Sequence, residues 1–164
     1  MADKSIDRRT LLGAAGLGAA ALLLGGRSTS ASGAPRFAVT RTPAEWRKRL
    51  GPARYAILRQ GGTERPFTSP LNKENRRGIF ACAGCDLPLF SSAAKFESGT
   101  GWPSFFRPLG DSVVTKTDRS LGMSRTEVLC RRCGGHLGHV FKDGPKPTGL
   151  RYCINGLALR FKPA

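Results

Sequence analysis

Imidazole is almost missing from this chain. His136 and His139 are its only histidines, and both lie within a few residues of Cys133, so any histidine chemistry is confined to one short stretch. Acidic side chains are scarce too: 11 stand against 27 lysines and arginines, a formal net charge of +16. Such an excess would suit nucleic acid, but the arginines are scattered and form no block with interleaved aromatics. The pattern reads as a solvated basic surface, drawn to acidic partners or an anionic envelope, with no nucleic acid expected. No low-complexity segment follows the first 34 residues, and the longest apolar run falls short of the about 20 residues that a stable membrane span needs.

What the chain does have is five cysteines, arranged as two Cys-x-x-Cys pairs, Cys82/Cys85 and Cys130/Cys133, with Cys153 left over. The pairs are far enough apart to fold back and offer four thiolates in a tetrahedron, the donor set of one closed structural zinc site. Disulfides and thioredoxin-like redox pairs are the competing readings. A redox pair needs a helix N-terminus to lower its first thiol. Here each pair follows a short apolar run (Gly78 to Ala81, Glu127 to Leu129) and precedes turn residues, Asp86-Leu87-Pro88 and Gly134-Gly135. Strand, turn and strand given twice is the pattern of a zinc ribbon. Four cysteines also leave no open position for water, which argues against a zinc hydrolase. With the pairs committed, Cys153 has no partner, and is either a buried core thiol or a nucleophile.

Residues 1–34 read as an address. Asp7-Arg8-Arg9-Thr10-Leu11-Leu12 sets twin arginines before the uncharged run Leu11 to Gly26, and small residues follow Arg27. This resembles a twin-arginine export signal, which implies a periplasmic or envelope location; a buried helix is the alternative. Four cations and two acids in this leader contribute +2, leaving +14 on residues 35–164. A four-thiolate site loaded before export would be protected from oxidation to disulfides.

The remaining stretch suffices for one domain. Thr42-Pro43-Ala44-Glu45 is a capping box opening a short helix with Trp46 and Leu50 on one face, and Arg54 to Gln60 predicts a second helix stopped by Gly61-Gly62. From Gly78 on, short alternating runs such as Ser112 to Thr117 and Leu157 to Phe161 predict strands. The expected domain is mainly β, with helices confined to its start and the two cysteine turns as a weak internal repeat.

Three segments carry a resemblance: Phe96-Glu97-Ser98-Gly99-Thr100-Gly101-Trp102-Pro103-Ser104-Phe105, His136-Leu137-Gly138-His139-Val140-Phe141 and Arg151-Tyr152-Cys153-Ile154-Asn155. Together they are similar to the signature segments of B-type peptide-methionine (R)-S-oxide reductases. The cysteine pairs fall where zinc-containing members have theirs. The resemblance implies a small antiparallel β domain of two sheets that reduces methionine-R-sulfoxide, free or protein-bound. It implies Cys153 as attacking residue, His139 as donor to the sulfoxide oxygen with His136 close by, and Asn155 as an orienting residue. Trp102 is implied as the wall that takes the substrate methyl. The charge of Arg151, two residues before Cys153, and that of the chain would favour the thiolate, which makes Arg151 a candidate on the substrate side. Taken alone, Trp102 could be a core indole, Asn155 a turn residue and the histidines supports of the metal site.

Two departures from the family pattern matter. Thr100 occupies the position where many members carry a resolving cysteine, and no cysteine is spare. A Cys153 sulfenic acid would therefore wait for an external thiol, small or thioredoxin-like. Gly156-Leu157 replaces small polar or alanine-like residues, which predicts altered packing. The expected protein is a monomeric enzyme, and the alternative is a zinc-ribbon binding module with a basic surface. Replacing Cys153 by serine separates the two.

Overall fold

The computed structural model describes residues 37–164; the leader, with its twin arginines, lies outside the described residues. Helix α1 (Pro43–Gln60) begins on the expected capping box. The Thr42 hydroxyl accepts the Glu45 amide at 3.3 Å, and the Glu45 carboxylate accepts the Thr42 amide at 2.7 Å. Gly51, at φ 70° and ψ 171°, interrupts it just before Pro52, so the two predicted helices are the two halves of α1. The second half ends on Gly61, whose left-handed backbone lets its amide reach back to the Ala56 carbonyl. Trp46, Leu50, Ile57 and Leu58 are buried.

Two antiparallel sheets follow. The smaller contains β1 (Gly78–Cys82), β2 (Pro88–Ser91) and β9 (Leu159–Pro163) in the order β2-β1-β9. The larger contains β3 (Lys95–Phe96), β4 (Ser104–Phe105), β5 (Val113–Asp118), β6 (Arg125–Cys130), β7 (His136–Phe141) and β8 (Arg151–Ile154) in the order β3-β4-β8-β7-β6-β5. Phe80, Phe90 and Phe105 are fully buried and join the sheets, Phe80 edge-on to Phe105 at 5.0 Å between centroids and Phe90 stacked on Phe105 at 4.4 Å. The predicted strand over Leu157 to Phe161 starts late. Residues Gly156–Ala158 form a single 3-10 turn, because the Glu64 carboxylate takes the amides of Gly156 and Leu157 that a ladder would need.

The cysteine repeat is real in three dimensions. In the first turn the Cys82 carbonyl accepts the Asp86 amide at 2.8 Å and the Cys82 amide reaches Leu87; in the second, the Cys130 carbonyl accepts the Gly134 amide at 2.8 Å and the Cys130 amide reaches Gly135. The fifth residue of each turn, Asp86 at φ 59° and Gly134 at φ 67°, is left-handed. Aspartate is among the few side chains that tolerate this region, and glycine does so without cost.

One irregularity decides how the histidines lie. In a regular strand, residues three apart point to opposite faces. Between β6 and β7, however, Val128 pairs with Gly138 and Leu129 with His136, so Leu137 is an extra residue on β7. This bulge restores the parity, and the rings of His136 and His139 come within 5.5 Å, centroid to centroid. The strand can pack there only through glycine: a Cβ on Gly138 would lie 2.0 Å from the Cys153 carbonyl oxygen. Gly138→Ala is therefore expected to push β7 from β8 and destabilise the domain by at least about 2 kcal/mol, read as a lower urea midpoint; an unchanged midpoint would contradict the tight approach.

Candidate active site

Cys153 sits in the middle of the larger sheet, with Ser104 of β4 opposite it on one side and His139 of β7 on the other. Directly opposed residues present their side chains on the same face, so this pairing brings thiol and imidazole together. Trp102, His139, Cys153 and Asn155 line one cavity of about 130 Å³, together with Thr63, Arg125, Gly138 and Phe141. His136 lines instead a neighbouring cleft of about 680 Å³, which shares Thr63, Arg125 and His139 with the first. Arg151 lines neither.

Each of these side chains is held. Trp102 donates its indole N–H to the Glu64 carbonyl at 3.1 Å. The Asn155 amide is tied to the scaffold at both ends, its Oδ1 accepting the Glu64 amide at 3.0 Å and one Nδ2–H donating to the Leu137 carbonyl at 3.1 Å. It braces the bulged strand below the cavity, and it reaches neither histidine. His139 Nε2 lies 2.8 Å from Asp118 Oδ2, a carboxylate also held by Arg125 at 2.8 Å. The Ser120 amide, then His139, keep the Asp118 carboxyl well below its usual range. His136 Nδ1 meets Glu127 Oε1 at 2.6 Å, and burial pushes its pKa down against the pull of that carboxylate.

The Cys153 thiol is pushed up, chiefly by burial; the Thr100 hydroxyl at 3.8 Å and the Arg151 guanidinium pull it back without reversing the shift. The expected help from Arg151 is therefore present, but burial outweighs it. Arg151 is itself committed, to both oxygens of Asp143 at 2.9 and 2.7 Å, and its guanidinium lies 4.5 Å from the centre of the Phe141 ring.

Sequence reasoning missed Glu64, Asp118 and Glu127. Glu64 reaches across from the loop after α1 to hold Gly156, Leu157, Trp102 and Asn155. Asp118 and Glu127 come from the β5–β6 hairpin, and no spacing along the chain tells that they sit beside the β7 imidazoles. The Gly156 departure has a plain cause, since a Cβ there would lie 1.8 Å from Ser69 Oγ.

The four paired cysteines gather elsewhere. Their Sγ atoms all lie within 4.8 Å of one another, with Cys82 3.8 Å from Cys133 and Cys85 3.5 Å from Cys130. A disulfide would need about 2.05 Å, whereas a tetrahedron of Zn–S bonds near 2.3 Å has edges of about 3.8 Å. Hydrogen bonding among the sulfurs pushes the Cys82 and Cys133 thiols up and the Cys85 and Cys130 thiols down, the sharing of protons expected of thiols this close to one another. The cluster can hold a metal ion, and none of its members lines the Cys153 cavity.

Residues 50–163 match the SelR domain family. The chain is similar to peptide methionine sulfoxide reductase MsrB of Leptospira interrogans, 56% identical over 127 residues that cover 77% of this chain and 97% of that protein. It is 57% identical to the protein of the same name from Pseudomonas putida over 126 residues, 76% of this chain and 95% of the relative. The Methanosarcina barkeri relative is 56% identical over 76% of this chain and 89% of its own length.

Because burial raises the Cys153 thiol and Arg151 opposes the rise, alkylation of Cys153 without substrate should accelerate with pH through and beyond the ordinary thiol range. Arg151→Met should move the inflection further up. Mass-resolved iodoacetamide labelling reads both; an inflection below the ordinary value, or one unmoved by the substitution, would contradict the balance described.

Proposed function

The chain belongs to the SelR-domain family and has peptide methionine sulfoxide reductase activity; from that premise we propose that it reduces the R epimer at Cys153, leaving a sulfenic acid that an external thiol removes. The observation that carries this reading is the shared cavity of about 130 Å³, where the unpaired thiol, one imidazole and one indole meet. A methyl sulfoxide offers an apolar methyl and a single oxygen. Trp102, fixed through its N–H to Glu64, supplies an apolar wall for the first, and His139 a donor for the second, so the two substituents on sulfur are sorted and one epimer is selected.

In the proposed step the Cys153 thiolate attacks the sulfoxide sulfur. A protonated His139 donates Nε2–H to Asp118 and leaves Nδ1–H for the sulfoxide oxygen, which becomes electrophile-activating once protonated. The attack forms a bond between the Cys153 and substrate sulfurs while the S–O bond breaks and the doubly protonated oxygen leaves as water. A water then attacks the Cys153 sulfur, the S–S bond breaks with its electron pair going to methionine, and Cys153 is left as S–OH, two electrons poorer, with one proton released. Arg151 and Thr100 favour the attacking thiolate against burial, Asn155 fixes the strand that carries Cys153, and His136 stands beside His139. Two external thiols then return Cys153 to the thiol, releasing a disulfide and water. Thr100, 3.8 Å from the sulfur, holds the place from which an internal thiol would act.

We assign the metal as one zinc ion held by Cys82, Cys85, Cys130 and Cys133. When bound it neutralises the thiolates and cross-links the two turns, which can add roughly 10 kcal/mol to folding. The reading extends to a leader that sends the folded monomer through the twin-arginine route to the periplasm or envelope, where a small thiol or thioredoxin-like protein serves as reductant. No described helix is long and apolar enough to cross a membrane. A binding module with a basic surface is not favoured, since it has no use for a half-buried thiol facing an imidazole.

Assay with the separated epimers of a blocked methionine sulfoxide tests the reading. Only the R epimer should be consumed, turnover should need added thiol, and Cys153→Ser should abolish it; equal use of both epimers would count against the pocket assignment. Metal analysis should find one zinc per chain, and Cys130→Ser should unfold or aggregate. A stable, active, metal-free Cys130→Ser protein would overturn the structural role.

A further inference from the structure

The Cys153 sulfur stands at one end of a line of hydroxyls. Thr100 Oγ1 lies 3.8 Å from Sγ, Ser98 Oγ lies 2.8 Å from Thr100 Oγ1, and Ser104 Oγ lies 2.7 Å from Ser98 Oγ. The line ends on backbone, where the Ser104 hydroxyl donates to the Trp102 carbonyl at 3.1 Å. Ser104 is 1% exposed, so its hydrogen must find an acceptor inside the protein. Among the described residues, no other donor reaches the Trp102 carbonyl.

That carbonyl sets the polarity of the whole line. A hydroxyl has one hydrogen, and a carbonyl only accepts. With the Ser104 hydrogen on Trp102, Ser98 must donate to Ser104, and Thr100 must donate to Ser98. The Thr100 oxygen then accepts from the thiol and has no hydrogen left for sulfur. A thiolate only accepts, so it meets the lone pairs of Thr100 until that hydrogen turns from Ser98 to Sγ. Ser98 then keeps only the Thr100 amide, at 3.4 Å, as its donor from that residue.

We propose that Ser98 and Ser104 are positioning residues that restrain Cys153 by holding the Thr100 hydrogen away from its sulfur. On ionisation the thiol proton leaves to solvent, the Thr100–Ser98 bond opens, and Thr100 donates to the thiolate instead. This rests on the reading of Cys153 as the attacking residue and adds why Thr100 favours the thiolate only after another bond is broken. The charged and titratable groups around the sulfur act separately. They are His139 of β7 with His136 beside it and Asp118 behind it, Arg125 of β6 on the cavity wall, and Arg151 with Asp143. The loop that carries Ser98 adds Glu97, whose carboxylate accepts the Gly99 amide at 3.0 Å, and β4 places only Ser104 opposite Cys153.

Mass-resolved iodoacetamide labelling across pH, without sulfoxide, reads the ionisation of Cys153. Ser98→Ala frees the Thr100 hydrogen and should lower the inflection by about half a unit, the scale of one neutral hydrogen bond. Thr100→Val leaves the thiolate without that donor and should raise the inflection by a similar step, while Ser98→Thr, which keeps the hydroxyl, should match wild type. In the Thr100→Val background, Ser98→Ala should move nothing further. Loosened packing would instead hydrate the thiol and lower the inflection in every variant, the double included. An inflection unmoved or raised by Ser98→Ala, or lowered by it when Thr100 is already valine, would overturn the proposal. If Thr100→Val does not fold, Ser104→Ala decides: it releases the Ser98 hydrogen to Thr100 and should lower the inflection as Ser98→Ala does, and an unmoved inflection would overturn the proposal. None of these measurements uses sulfoxide, so failure to reduce any sulfoxide would be a separate result, striking at the functional reading itself.

Discussion

The two sheets meet at four sulfur atoms. Cys82 and Cys85 come from the β1–β2 turn of the smaller sheet, Cys130 and Cys133 from the β6–β7 turn of the larger, and the close pairs run between the turns, not within them. Arginines fasten this region from outside: Arg49 to the Gly84 carbonyl at 2.7 Å, Arg59 to Cys133 at 2.9 Å and Arg132 to Cys85 at 3.2 Å. The second turn also fixes where β7 starts, and so where the bulge at Leu137 falls. The bulge sets the parity of His136 and His139 against Cys153. The groups around the Cys153 cavity thus depend on a cluster that does not line it.

Within the site, burial and charge pull in opposite directions. A half-buried thiol resists ionisation, yet the attack proposed for Cys153 needs a thiolate. The fold does not resolve this by a strong cation at the sulfur, because Arg151 is shared with Asp143 on the exposed side. A thiol kept protonated until substrate arrives is also poorly reactive toward stray oxidants. Carboxylates behind both imidazoles, Asp118 and Glu127, fix ring orientation from the neighbouring hairpin.

Much of this was legible in the chain. The capping box at Thr42, the glycines after Gln60 and the paired cysteine turns are local signals, and each produced the local structure its chemistry requires. The mainly β, two-sheet architecture and the gathering of Trp102, His139, Asn155 and Cys153 followed from segments whose resemblance spans the domain. What could not be read depends on contacts between distant segments. Nothing near Glu64 announces that its carboxylate will hold amides 92 and 93 residues away, and this contact is why β9 begins at Leu159 and not at Leu157. A bulge leaves no mark beyond Gly138, and without it the spacing of the histidines predicts opposite faces. The bonds that hold Asn155 were equally unreadable: its Oδ1 accepts the Glu64 amide and one Nδ2–H goes to the Leu137 carbonyl, contacts that no local signal announces, while the side chain still lines the Cys153 cavity.

The central claim is that the five cysteines divide into four that hold a metal and one that reacts. Native mass spectrometry after one equivalent of methionine-R-sulfoxide, without thiol and with a dimedone probe, tests it directly. The account predicts a single adduct on Cys153 with the metal still bound and the other four cysteines unmodified. A disulfide between Cys153 and any of Cys82, Cys85, Cys130 or Cys133, accompanied by loss of the metal, would contradict it.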